Sequence, residues 1–287
     1  MYIYVVKIGI IGGGFGLYGY MPAAVQNNYE VVTLEKYRST IISRPELAGY
    51  VSRLQFVLTE EDLQEECEYL VLARDTASQV NLISKFAGSF KHIFLEKPLG
   101  RNSKEHLVVL DGLLKAKQSF SVGYLAPFTN WFQLLNSGSS TYAELSWHCK
   151  IDNTSWKSNQ FLDRGIFTFY GIHMVPIVQH LNLNIAKVHT NLVDSSLEIR
   201  FNSDIHKVMI YLVESETPSF SLISNSINES IVLQTPFGDR GSIGLEDPRV
   251  PLLRHYLKKN IEETNPYLNL NYELIAIKLL ESIELNH

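Results

Sequence analysis

Short apolar runs alternate with stretches of helical periodicity through the first 122 residues. An apolar run over 5–11 predicts a strand ending in glycines, and residues 18–27 behind it fit a helix. Runs over 31–34 and 54–58 predict a second and a third strand, the third followed by Thr59 as N-cap of an acidic helix, EEDLQEE. Strands over 69–73, 92–95 and 120–124, with helices over 77–87 and 103–116 between them, complete the alternation. Such short connections imply a parallel sheet with right-handed crossovers, so a six-stranded doubly wound unit is expected.

Past Gly123 the pattern becomes β-rich and partly alternating, in TYAELSWHCKI, KVHTNLV, SSLEIRF, HKVMIYLVES and SIVLQTPFG. Helices are expected over 128–135, 165–181 and 251–263, and NLNYELIAIKLLESIE spaces its apolar residues as a final helix that packs on the body. The chain therefore reads as α/β in two domains: a doubly wound parallel sheet over 1–122, then an α+β domain over 123–287. The second domain is expected to carry a largely antiparallel open sheet with helices on one face. No internal repeat or low-complexity segment interrupts either part.

With 287 residues, 45% of them hydrophobic, the chain can bury a substantial core, which excludes disorder. Its net charge of −5 comes from 25 basic and 30 acidic residues spread along the sequence. Without a basic stripe there is no footprint for nucleic acid or an anionic membrane, and a small-molecule substrate is expected. Cys67 and Cys149 lack metal-ligand spacing and read as buried thiols in a reducing compartment, with no metal expected. The N-terminal MYIYVVKIGIIGGG has no basic leader and runs into glycines where a cleavage site would stand. No apolar run reaches membrane-spanning length, so a cytoplasmic protein is expected.

Candidate chemistry begins at VKIGIIGGGFGLYG. Gly12, Gly14 and Gly16 directly follow the first strand, while Gly14, Gly16 and Gly19 match GxGxxG, and both registers stay open. Either one removes side chains around Phe15 where a pyrophosphate approaches the backbone and a helix N-terminus. The second strand leads to Glu35, near the position, about twenty residues on, where an acid contacts the adenosine ribose of NAD. Lys36 and Arg38 follow at once and suit the 2′-phosphate of NADP, so the cofactor is NAD or NADP. Ala73, at the end of the fourth strand, is a further cofactor-facing candidate. LEKPLG, residues 95–100, sets Glu96 and Lys97 at the end of a later strand in the same sheet, where the reactive ring would lie.

Together these segments resemble the glucose-fructose oxidoreductase, inositol dehydrogenase and MocA (Gfo/Idh/MocA) family over most of the chain. Glu96, Lys97 and Pro98 match its EKP motif, and SVGYLAPF, residues 121–128, resembles its strand leading into the second domain. RGIFTFYGIHMVPIVQHL, residues 164–181, resembles its GGxLxDxGxHxxD helix, with Gly165, Gly171 and His173 in register. The resemblance implies a Rossmann domain binding NAD or NADP, a substrate domain with an open sheet, and a homo-oligomer formed through that sheet. It implies that Lys97 binds the substrate hydroxyl or carbonyl and assists proton transfer, and that His173 acts as acid/base or substrate ligand. Trp156 and Lys157 resemble a tryptophan and a basic residue often found there, and with Asp152 and Asp163 they are candidate substrate contacts.

The chain departs from the family at defined positions. Phe169 and Pro176 stand where the pattern has aspartates, and Pro127 where many members have arginine. LARDTASQ, residues 72–79, resembles the ATPxxxH turn, with Arg74, Asp75 and Gln79 replacing threonine, proline and histidine. Tyr124 and Tyr170 are candidate proton donors in compensation. The expected function is hydride transfer to or from a carbohydrate, such as a nucleotide-linked sugar, at C4 of nicotinamide. Two alternatives stay open: a dinucleotide-binding regulatory or scaffold protein without catalysis, and a reductase of an imine or a conjugated, tetrapyrrole-like substrate. An apolar, aromatic pocket around Phe167, Phe169 and Tyr170 would favour the latter over a sugar.

Overall fold

A computed structural model describes residues 5–136, 141–150, 165–184, 188–193, 196–202, 207–227, 230–239, 245–263 and 270–285. Its first sheet contains β1 (Lys7–Ile11), β2 (Glu30–Leu34), β3 (Leu54–Val57), β4 (Tyr69–Leu72), β5 (His92–Leu95) and β6 (Phe120–Val122). All pair in parallel, in the order β3-β2-β1-β4-β5-β6. The order reverses between β1 and β4, so the carboxyl ends of β1, β4 and β5 share the edge where doubly wound sheets take ligands. Every residue of β4, β5 and β6 is buried, as strands covered on both faces require.

Local signals hold well here. Thr59 caps the helix Glu60–Glu66 in a capping box: its hydroxyl accepts the Asp62 N–H at 3.1 Å, and its own N–H donates to Asp62 Oδ2 at 2.9 Å. The helix expected over 18–27 differs, opening with a π turn, Gly16–Tyr20, before the α-helix Met21–Gln26. Pro22, which has no N–H to donate, stands at that junction.

The chain divides into two compact units, but not at one boundary. Unit one comprises Met1–Arg101, Glu105–Gly123 and Gly241–Asn269; unit two comprises Asn102–Lys104, Tyr124–Arg240 and Leu270–His287. The expected division at 122/123 is corrected in that the helix Val250–Glu262 joins the first sheet. Its Val250, Leu253, Tyr256 and Leu257 are buried, the Tyr256 ring lies 5.8 Å from Phe94 of β5, and the Tyr256 hydroxyl hydrogen-bonds Ser121 of β6 at 2.8 Å. An amphipathic pattern marks which face is buried without marking the surface that receives it.

The second unit holds β7 (Tyr142–Cys149), β8 (Val188–Val193), β9 (Ser196–Asn202), β10 (Lys207–Glu214), β11 (Ser219–Ser224) and β12 (Ile231–Leu233), ordered β12-β11-β7-β10-β9-β8. Among the described residues only β10 and β7 pair in parallel in that sheet. β7 alternates: Ala143, Leu145, Trp147 and Cys149 are buried, and the intervening residues form a more open face. The helix expected over 165–181 is three pieces, Gly165–Phe169, a 3₁₀ turn Gly171–Met174, and Val175–His180. A Cβ on Gly171 would lie 2.6 Å from the Phe167 ring and 2.8 Å from Leu212, and Pro176 supplies no helical N–H. No helix among the described residues is long and apolar enough to cross a membrane, and no cluster of three or more His, Cys, Asp or Glu among them could hold a metal ion.

Candidate active site

β1 runs into Gly12, where the chain turns at φ +155° and a Cβ would lie 2.3 Å from the Ala73 carbonyl oxygen. Only glycine tolerates that approach. The Ala73 N–H donates to the Ile11 carbonyl at 2.9 Å, tying the ends of β1 and β4 together. A Cβ on Gly16 would lie 3.4 Å from Ile10 and from Ala73, whereas Gly14 is exposed and a Cβ there would meet nothing within 4 Å. Of the two registers, Gly12–Gly14–Gly16 thus supplies a tight turn, an open approach and close helix–strand packing, while a Cβ on Gly19 would lie 2.3 Å from the Phe15 ring. An unobstructed backbone at the start of a helix fits the pyrophosphate of a dinucleotide. Beside it, the Arg249 guanidinium lies 4.0 Å over the Phe15 ring, fixed by Asp247 through Nε–Oδ1 at 2.9 Å and Nη2–Oδ2 at 2.8 Å.

Beyond β2, Glu35 and Arg38 form a two-pronged pair, Nε to Oε1 at 2.6 Å and Nη2 to Oε2 at 2.9 Å. The Arg38 hydrogen bonds hold the Glu35 carboxyl below its ordinary range. The Arg38 guanidinium also lies 3.8 Å over the Phe56 ring of β3. Lys36 Nζ sits 5.4 Å from the Tyr37 ring, which borders Gly13. Arg74, one of the departures from the motif, donates from Nη1 to the Tyr37 hydroxyl at 3.4 Å.

At the end of β5, Lys97 Nζ lies 3.1 Å from Glu96 Oε2, with side chains 12% and 10% exposed. Glu96 Oε1 accepts the Tyr20 hydroxyl proton at 2.8 Å. Burial first, then the Glu96 charge, keeps the Tyr20 phenol well above its ordinary pKa, so it stays a donor. Gly123 makes room: a Cβ there would lie 2.5 Å from the Tyr20 oxygen and 2.8 Å from Glu96 Oε1. Gln79 splints the same strand end, its Nε2 donating to the Glu96 carbonyl at 2.7 Å and its Oε1 accepting the Glu96 N–H at 3.2 Å. The Lys97–Pro98 peptide is cis. An ammonium so placed can donate to a developing alkoxide or take a proton back through the same bond.

In the second unit His173 is buried in the 3₁₀ turn, its ring 4.8 Å from Phe237 and 5.7 Å from Trp147. Tyr170 meets Trp147 edge-on at 5.1 Å and donates its hydroxyl to the Lys150 carbonyl at 2.9 Å. Tyr124 is buried against Tyr272 at 5.3 Å. Asp152, Trp156, Lys157 and Asp163 lie outside the described residues.

Solved structures match this architecture along almost the whole chain. It is similar to a Gfo/Idh/MocA family oxidoreductase from Vibrio cholerae over 97% of this chain and 96% of that one, with a TM-score of 0.74 and 15% identity. It is similar to a myo-inositol dehydrogenase from Corynebacterium glutamicum over 99% and 98%, at TM-score 0.68 and 11% identity. A third, the WlbA (WbpB) dehydrogenase from Thermus thermophilus in complex with NAD and UDP-GlcNAcA, matches over 97% and 95%, at TM-score 0.67 and 14% identity. The chain shares their fold. No protein-family model matches it, and no curated protein does.

Within that fold, three residues carry roles that the linear motifs do not signal. Tyr20 reaches Glu96 across 76 positions, Gly123 clears space for both, and Arg249 arrives from the returning segment. Gln79, a departure on paper, supports the Lys97 strand end with two hydrogen bonds.

Proposed function

We propose that the chain is an NAD(P)-dependent oxidoreductase that moves a hydride to or from a carbohydrate, with nucleotide-linked sugars the first class to test. One observation carries the reading: the Gly12–Gly16 turn and Lys97 stand at the carboxyl ends of β1 and β5, on one edge of a parallel sheet, separated by β4 alone. The shared fold with a dehydrogenase solved with NAD and UDP-GlcNAcA supports it. The cofactor, when bound, supplies the hydride chemistry. The glycine turn admits the pyrophosphate to the backbone, Glu35 accepts from the adenosine ribose, and Lys97, oriented by Glu96 and Tyr20, holds the substrate oxygen and moves its proton. In the second unit His173 is the proposed acid/base or substrate ligand, with Tyr170 and Tyr124 as further candidate donors and Trp156, Lys157 and Asp163 as substrate contacts.

Lys97→Ala is expected to abolish turnover while leaving NADH affinity unchanged, read by fluorescence titration and by absorbance at 340 nm over a metabolite screen. Wild-type rates in that variant would overturn the assignment. The rings of Trp147, Tyr170 and Phe237 near His173 favour adding imines and conjugated substrates to the screen, as the second reading. Self-association through the open face of the second sheet, which carries Tyr142, Tyr211 and the exposed Ile223, is also proposed; light scattering that returns a monomer mass would exclude it. A reducing, cytoplasmic setting suits Cys67 and Cys149, both free thiols whose pKa burial raises.

A further inference from the structure

The end of β2 presents an acid that favours one cofactor and a base that favours the other, already paired. Arg38 spends Nε and Nη2 on the two oxygens of Glu35, and its guanidinium face rests 3.8 Å over Phe56, a residue of β3. Both partners are about half exposed, Glu35 at 42% and Arg38 at 41%, so the carboxylate keeps lone pairs that ribose hydroxyls can reach. A 2′-phosphate meets a different surface. It must displace Glu35 from the two donors and then remain beside the carboxylate charge.

We infer that Glu35, Arg38 and Phe56 form a selectivity device that makes the chain prefer NAD over NADP and keeps in Arg38 a latent 2′-phosphate site. The inference rests on the dinucleotide reading of the glycine turn. Phe56 gives the device its second state: with Glu35 removed, the guanidinium keeps its support on the ring and gains two unused donors. Arg38 is then preorganised for a planar, charge-assisted contact to phosphate.

Fluorescence titration of NADH and of NADPH separately, on the wild type, Glu35→Ala, Glu35→Gln and the double variant Glu35→Ala/Arg38→Ala, tests this. The wild type should bind NADH about tenfold or more tighter than NADPH, the scale of one charge-assisted contact. Both single variants should reverse the order, and the double variant should lose it. Circular dichroism melts keep folding separate from binding. Equal or NADPH-favouring affinity in the wild type, or an unchanged ratio in both Glu35 variants, overturns the inference and leaves the dinucleotide reading standing. Failure of both cofactors to bind the folded wild type overturns the two together.

Discussion

Lys97 and His173, the two residues expected to move protons, are fixed by different physics. Around Lys97 the contacts are polar and directional: Glu96 pairs with the ammonium, Tyr20 donates to Glu96, and Gln79 clasps the backbone beneath them. Around His173 stand the rings of Trp147 and Phe237, and a Cβ on Gly171 would press on Phe167 and Leu212. Satisfied buried polar networks specify one geometry, and losing a member strands its partner. Aromatic packing tolerates exchange of similar volume. Both units depart from the resemblance: the first keeps Glu96, Lys97 and Pro98 but replaces the turn residues at Arg74, Asp75 and Gln79, and the second carries Phe169 and Pro176 where acids are expected.

The largest effect should come from Gly12→Ala. Its Cβ would meet the Ala73 carbonyl, a backbone atom that cannot swing aside, so a loss of about 3 kcal/mol or more in urea unfolding is expected. Unaltered stability would break the view of the first unit as rigidly specified. Acid comes next. His92, whose ring nitrogens hydrogen-bond Ser119 at 2.7 Å and Ser121 at 2.9 Å, is pushed down to about 4 by burial. Between its ordinary value near 6.5 and 4, the unfolded chain binds the proton and the folded chain does not. Stability is full above that window and falls as pH drops through it, by about 2–3 kcal/mol at pH near 4.5. Urea midpoints at the two ends of the window should show this drop in the wild type and not in His92→Gln. Smaller still, Tyr20→Phe removes the buried donor to Glu96 Oε1, leaving the carboxylate only its Lys97 pairing, and should cost about 2 kcal/mol, whereas Phe237→Leu in the second unit should cost about 1 kcal/mol. Equal costs would erase the contrast between polar and aromatic support.

Much of the fold was legible because its elements are short and strongly periodic: the six parallel strands, the Thr59 cap and the final helix Leu270–Leu285 all follow from local pattern. What was not legible depends on residues far apart in sequence. Both glycine triplets satisfy spacing alone, and the close approach of Gly12 to Ala73, just past the end of β4, is a contact that no local pattern carries. The helix Val250–Glu262 announces an apolar face, but its attachment to β5 and β6 needs Phe94 and Ser121. β11 carries little strand signal of its own, since SFSLIS is short and half serine. Within the candidate site, Lys97, Glu35 and Arg38 stood out by type and position. Tyr20 and Phe56, which hold them in place, read as ordinary core and strand aromatics until the chain is folded.

The central claim is that the glycine turn is open because a dinucleotide occupies that space, and Gly14→Asp tests it most directly. Gly14 has nothing within 4 Å of its Cβ position, so the substitution should leave the melting temperature unchanged while placing bulk and negative charge where the pyrophosphate approaches. Isothermal titration with NADH should show binding to the wild type and a loss on the order of a hundredfold or more in the variant. An equal dissociation constant in both, or no binding to the folded wild type, would contradict the account.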